Sequence, residues 1–244
     1  MVSSKLEVMN ESQDPMGSAI YDYWKHGKAD VLRVFSPMFE EDELPVQTLF
    51  RSFEEMPVIE QTALQMASGR TLDVGAGSGC HSLVLQEKGV EVTALDISPL
   101  SVKTMQERGV KRALLQDFFT FEEQFDTVLL LMNGAGITGT VERLPLLFQQ
   151  LDKVLAPGGQ ALCDSSDLCY LFEDEDGIIE LPDMDGYYGE LVYQLQYKNI
   201  KGEPFPWLYV DADTLSEQAA ACGYLMEIVA QGDHYDYLAR ITKK

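Results

Sequence analysis

The sequence predicts an α/β protein built on a mostly parallel sheet with helices on both faces, and three observations lead to that reading. Short apolar bursts alternate with helix-like stretches from residue 69 onward. The first burst, Thr71-Leu-Asp-Val-Gly75, runs directly into a glycine-rich turn and a helical stretch. At 244 residues the chain suffices for one sizeable core with a modest extra element and is short for two full domains.

Taken in order, residues 1–15 are polar, lack the basic and apolar regions of a secretory signal, and read as a frayed tail. From 18 to about 68 apolar residues recur at helical spacing, first Ile20, Tyr23 and Trp24, later Val58, Ala63, Leu64 and Met66, broken by Pro37, Pro45 and Pro57. Residues 1–68 are therefore expected to form a tail and a lid of short helices ahead of a core at 69–244. In the core, a strand to Gly75, a helix over 82–88 and a strand over 90–95 make a βαβ unit. Further strands are expected over 111–116, 125–132 and 160–164, with helices near 99–107 and 141–155. Pro157-Gly158-Gly159 is a turn signal.

The rhythm breaks after Leu171. Leu191, Tyr193, Leu195 and Tyr197 alternate with Val192, Gln194, Gln196 and Lys198, as in an inserted β-hairpin over about 187–210 that turns near Lys201-Gly202. Asp211 or Asp213 can cap a helix running to about Cys222, and Gly223 can stop it. The runs 224–230 and 235–241, joined at Gly232-Asp233, suggest a closing antiparallel pair.

Composition narrows the function classes. No apolar run approaches the roughly 20 residues of a membrane span, so no membrane partner is expected. A net charge of -22 with 18 scattered basic residues argues against nucleic acid, whose affinity comes from gathered Lys and Arg. The acidic runs 40–43 and 173–176 read as solvated loops, with attraction of a cationic substrate as the alternative. Cys80, Cys163, Cys169 and Cys222 show no CxxC pairing, and with His26, His81 and His234 they make no metal-ligand pattern, so no metal is expected. Sparse cysteines suit a reducing cytoplasm.

The strongest chemical signal is Leu72-Asp73-Val74-Gly75-Ala76-Gly77-Ser78-Gly79, where glycines admit close backbone approach and a helix N-terminus offers free N–H donors. An ordinary strand-to-helix turn is the competing reading. Asp96 ends the next strand, about 20 residues on, where a carboxylate can accept from a ribose diol. Asp117, after the third strand, could accept from an adenine amino group with Phe118 packed on the ring, or simply start a capped loop. Three polar groups at the carboxyl ends of successive parallel strands converge on one crevice.

On these residues the chain resembles the class I S-adenosylmethionine-dependent methyltransferase family over roughly 69–244, with Asp73-Val74-Gly75-Ala76-Gly77-Ser78-Gly79 matching its first motif. The resemblance implies a Rossmann-like seven-stranded sheet whose last two strands form a reversed hairpin. It implies S-adenosylmethionine as cofactor, with Gly75 and Gly77 under its methionine portion, Asp73 organising the loop, Asp96 on the ribose and Asp117 on the adenine. Ala76, Gly79 and Ile97 complete that set. The fourth strand ends Leu131-Met132-Asn133-Gly134-Ala135, without the paired prolines and aromatic residue of nucleobase amino-methyltransferases, which speaks against such an acceptor.

Methyl transfer needs positioning, and a base only where the nucleophile must lose a proton. His81 is a candidate base or a packing histidine. Asn133 is a contact to cofactor or acceptor, or a turn former, and Asp164, beside Ser165 and Ser166, lines the acceptor side or caps a turn. Tyr21, Tyr23, Trp24 and Phe35 are expected in the lid core. Arg51 is not obviously required by a nearby acid, and its forked donors suit the cofactor carboxylate. The aromatic hairpin, with Tyr187, Tyr188, Tyr193, Phe205, Trp207 and Tyr209, walls an acceptor pocket or forms a homodimer surface. A small-molecule acceptor is expected. The alternatives are a protein acceptor, a non-catalytic adenosyl-ligand binding protein, and an NAD-dependent oxidoreductase, whose fingerprint needs a glycine where Cys80 stands.

Overall fold

A computed structural model describes residues 8–174, 176–181, 186–233 and 235–244. The first part of the expected tail, Glu175 of the second acidic run and His234 lie outside the described residues.

The chain joins the fold earlier than its polar start suggests. The Met9 amide donates to the Ile97 carbonyl at 2.9 Å. Asp14 then caps α1 (Pro15–His26) by accepting from the Gly17 amide at 2.8 Å, with Pro15 at the position where a missing N–H costs nothing. Asp14 is wholly buried and also accepts from the Ser98 hydroxyl at 2.5 Å. The frayed-tail expectation is therefore corrected for residues 9–15: a buried cap ties down backbone whose composition alone reads as loose.

Two strands follow that helical periodicity does not foretell, β1 (Leu32–Phe35) and β2 (Asp42–Leu44), paired antiparallel with Val34 opposite Asp42. The first acidic run is thus partly strand, and Arg33 pairs with Glu41 beside it. Strands this short offer too few alternations to stand out from helix-spaced neighbours. Short 3-10 turns at Val46–Phe50 and Phe53–Glu55 lead into α2 (Val58–Met66).

The core then runs β3 (Arg70–Val74), α3 (Cys80–Glu87), β4 (Glu91–Asp96), α4 (Pro99–Arg108), β5 (Ala113–Leu115), β6 (Phe125–Leu130), α5 (Leu144–Val154) and β7 (Leu155–Ser166). Strand β7 begins at Leu155 rather than Gln160, because Pro157-Gly158-Gly159 is absorbed as an irregularity in the β6–β7 ladder and does not precede the strand. Along β6 and its extension the side chains alternate between two buried clusters: Val128 and Leu130 pack with α5, while Leu129 and Leu131 pack with α2 and α3. Burial on both faces is what a parallel sheet requires.

The inserted segment forms β8 (Glu190–Tyr197), β9 (Ile200–Lys201) and β10 (Phe205–Leu208). Its tight turn falls at Lys198, whose φ is 52°, before the Lys201-Gly202 position expected. After α6 (Ala212–Ala221), capped by Asp211, the chain closes with β11 (Tyr224–Gln231) and β12 (Asp236–Lys243).

The large sheet has the order β11-β12-β7-β6-β3-β4-β5, with β5 through β7 parallel and β12 and β11 antiparallel. A second, antiparallel sheet has the order β10-β8-β1-β2 and joins the insertion to the N-terminal lid. One end of this roof rests on α1, where Leu32 and Tyr197 bury against Ala19 and Ile20. The other rests on the 3-10 turn Gly134–Thr138, where the Trp207 indole lies so close to Gly136 that a Cβ there would collide with it.

Candidate cofactor crevice

The strand order reverses beside β3, with β4 and β5 on one side and β6 and β7 on the other. The carboxyl ends of strands at such a switch point define the ligand crevice of open α/β sheets. Here β3 passes into the glycine loop. Its Asp73 is buried and accepts from the Ser82 hydroxyl at 2.6 Å, tying the loop to α3, and burial pushes its carboxyl above the ordinary range. The Gly75 and Ala76 amides donate to the Leu95 carbonyl, and the Gly77 amide donates to Asp96 at 2.8 Å. Gly75 has φ of 67° and a Cβ there would meet nothing within 4 Å, so bare backbone faces open space. At Gly77, a Cβ would meet Ile20 of α1 at 3.8 Å, which places the lid over the loop.

Asp96 closes β4. Its Oδ2 accepts from Gly77 and its Oδ1 from the Ser98 amide at 2.8 Å, leaving capacity for two further donors on an ionised carboxylate. Burial is the main influence on its pKa, raised to about 6 against the pull of those two amides. An open glycine cradle beside a carboxylate with spare acceptors fits an adenosyl ligand carrying a ribose diol. At the next strand end Asp117 is buried and accepts from the Phe119 amide at 3.0 Å. Phe118 is placed in the core, edge-on to Phe119, rather than on the crevice surface.

Beside the glycine loop stands a buried ionic network. Arg51 Nη2 donates to both Glu60 oxygens, at 2.7 and 2.9 Å, and Glu60 Oε2 meets His81 Nε2 at 2.7 Å. The expectation that Arg51 lacks an acid is thereby corrected: Glu60 supplies it from α2, nine residues on. Arg51 Nε is buried and hydrogen-bonds to no described residue. Burial opposes the charge on Glu60, yet the His81 hydrogen bond and the charges of His81 and Arg51 hold its carboxyl below the ordinary value. Burial likewise opposes the charge on His81, but the Glu60 bond and the facing Asp73 and Asp164 raise its pKa.

On the far side of β3, Met132 and Asn133 follow β6 with φ of 63° and 60°, a left-handed pair unusual outside glycine. Asp164, at the end of β7, holds them by accepting from the Met132 and Gly134 amides, each at 3.1 Å, and burial raises its pKa to about 6. The Asn133 side chain donates to the Leu208 carbonyl and accepts from Ser165, so it ties loop, β7 and roof together. Of the lid aromatics, Tyr23 packs on Phe50. Trp24 is 39% exposed and donates to Glu107, so it lies on the α1–α4 seam and not in a lid core.

The ends of β3, β4 and β5 thus carry Asp73, Gly75, Ala76, Gly77, Asp96, Ile97 and Asp117, while Gly79 faces α4, where a Cβ would meet Met105 and Val110 at 2.9 Å, and Arg51, His81, Asn133 and Asp164 belong to the neighbouring networks. Glu60 and Asp14 escape a reading of the sequence alone. The signal for Glu60 is its place at helical spacing among Ile59, Ala63 and Leu64, a charge within an apolar face.

A parallel core with a reversed closing pair and an acid-backed glycine cradle defines a class of nucleoside-cofactor enzymes, and comparison with known proteins agrees. A methyltransferase domain family matches residues 72–163. An S-adenosylmethionine-dependent methyltransferase from Bacteroides fragilis, solved with S-adenosyl-L-homocysteine, is 54% identical, covers 97% of this chain and 98% of its own, and superposes with a TM-score of 0.91. The cypemycin N-terminal methyltransferase of a Streptomyces species is 34% identical over 105 residues, 41% of this chain and 43% of that protein. The chain spans less than half the length of the curated relatives it matches. CcbJ of Streptomyces caelestis, at 15% identity, 96% and 99% coverage and a TM-score of 0.64, shares the fold. This chain belongs to the S-adenosylmethionine-dependent methyltransferases.

Proposed function

We propose that the chain transfers a methyl group to a small-molecule acceptor beneath the roof, with its cofactor laid across the ends of β3, β4 and β5. The single observation that carries this reading is the open backbone at Gly75 beside an Asp96 carboxylate with acceptors to spare. S-adenosylmethionine brings a carbon already activated by sulfonium charge, so what the protein adds is chiefly orientation. Asp96 accepts from the ribose hydroxyls, with Ile97 beside it. Asp117 accepts from the adenine amino group, and Gly75, Ala76, Gly77 and Gly79 run under the methionine portion. Arg51 donates to the cofactor carboxylate, a role supported by its Nε, which is unpaired among the described residues.

His81, Asn133 and Asp164 are each held by other protein groups. In this reading they shape the site rather than accept a proton from substrate. The hairpin serves as a wall, because one edge of β8 is already paired with β1 of the same chain and Trp207 is packed on Gly136. A charge of -22 supports an acceptor other than nucleic acid, and four free thiols support a cytoplasmic setting. No helix among the described residues is long and apolar enough to cross a membrane.

The test is calorimetric titration with S-adenosylhomocysteine, with NADH as comparator and Asp96→Ala as control. Binding of the adenosyl ligand alone, weakened at least about tenfold in the variant, is expected. Equal affinity in the variant would remove the cofactor placement. An acceptor screen on the wild-type protein with S-adenosylmethionine as donor follows, scored by formation of S-adenosylhomocysteine.

A further inference from the structure

We propose that Glu60 is a positioning residue for the amino-acid end of the cofactor: it holds Arg51 from one side and His81 from the other, and so keeps the remaining Arg51 donors turned to the cofactor carboxylate. This rests on the reading that Arg51 meets that carboxylate.

The geometry of the grip points this way. Glu60 takes only Nη2 of Arg51, using both of its own oxygens on that one nitrogen. Arginine–carboxylate pairs frequently engage two nitrogens in parallel. The one-nitrogen grip leaves Nη1 and Nε outside the pair, and Nε is buried without a partner among the described residues. His81, gripping Oε2 at 2.7 Å from the start of α3, keeps Glu60 from swinging fully onto Arg51. Three elements are thus pinned to one carboxylate: the lid segment through Arg51, α2 through Glu60, and the helix that follows the glycine loop through His81. Arg51 and Glu60 are 17% and 6% exposed at their side chains, and such a buried ionic arrangement is a poor way to gain stability where apolar residues would pack. Arg51 Nη2 also lies 3.9 Å from Met132 Sδ, which sets the guanidinium against the left-handed loop at the end of β6.

The experiment compares S-adenosylhomocysteine with 5′-methylthioadenosine, which keeps the adenosyl sulfur and lacks the amino-acid end. In Glu60→Gln, S-adenosylhomocysteine affinity is expected to fall at least about tenfold while methylthioadenosine affinity stays within about twofold. Arg51→Ala should show the same pattern, and the double variant should be no worse than Arg51→Ala alone. If Arg51→Ala leaves the ratio of the two affinities intact, the Arg51 reading fails and the positioning role with it. If Arg51→Ala collapses the ratio and Glu60→Gln does not, the positioning role alone is overturned. Equal loss of both ligands in Glu60→Gln would assign Glu60 to general support of the fold and also overturn it. Should Glu60→Gln melt too low to titrate, Glu60→Asp carries the test, since it keeps the charge and withdraws it by one methylene; an unchanged ratio there sinks the proposal.

Discussion

Asp96 shows how much a single carboxylate can be asked to do. It fastens the glycine loop to the end of β4 through Gly77, starts the next turn through Ser98, and as an ionised carboxylate keeps acceptor capacity beyond those two bonds. Burial raises its pKa to about 6 from the ordinary 3.8. In the proposed placement ribose hydroxyls donate to the ionised form, so S-adenosylhomocysteine affinity should hold above pH 7 and weaken as pH falls through about 6, as titrations between pH 5 and 8 would show. Asp96→Asn should bind weakly and lose most of that slope; a slope that persists belongs to Asp164, also raised to about 6. Asp73, Gly75 and Asp96 are legible in the sequence because a strand, a glycine turn and a helix fix where they must stand. Glu60 is not, because a glutamate on a helix ordinarily faces water, and only tertiary packing turns this one inward.

At the scale of elements, the left-handed Met132–Asn133 step is where local propensity yields to position. Residues with a Cβ resist that conformation by roughly 1–2 kcal/mol each, and the cost is met by the Asp164 bonds to Met132 and Gly134 and by Asn133's ties to Ser165 and Leu208. Met132 is 40% exposed, so Met132→Gly should relieve strain with little lost burial and raise stability by about 0.5–1 kcal/mol. Asn133→Ala should lower it by about 1–2 kcal/mol. Urea unfolding of both variants checks the pair of signs, and a destabilised Met132→Gly would refute the strain argument. The core elements were legible because apolar bursts and caps such as Asp211 repeat strongly along the chain. Strands β1 and β2 were not, since four and three residues carry almost no period and the pairing of β1 with β8 is invisible locally.

For the whole molecule, a charge of -22 is a field as well as a solubility device. Self-repulsion on this scale destabilises the compact state and is screened by salt within about 10 Å at 0.1 M. The melting temperature should therefore rise between about 0.02 and 0.2 M sodium chloride, and a scan showing a fall would mean that attractive surface pairs such as Arg112–Glu123 outweigh the net repulsion.

The roof sheet has a further consequence, which concerns time. Its strands lie far apart in the sequence, and the Tyr197 hydroxyl that donates to Asp22 at 2.9 Å is 175 residues away from it. A ribosome adding about 5–20 residues per second delivers β1 many seconds before β8 exists to pair with it. During that interval the lid strand is a nascent edge with no partner, while the core can already be assembling behind it. The later strands therefore decide when the earlier ones become native, and the ends of the core strands acquire their roof only once β8 has been made.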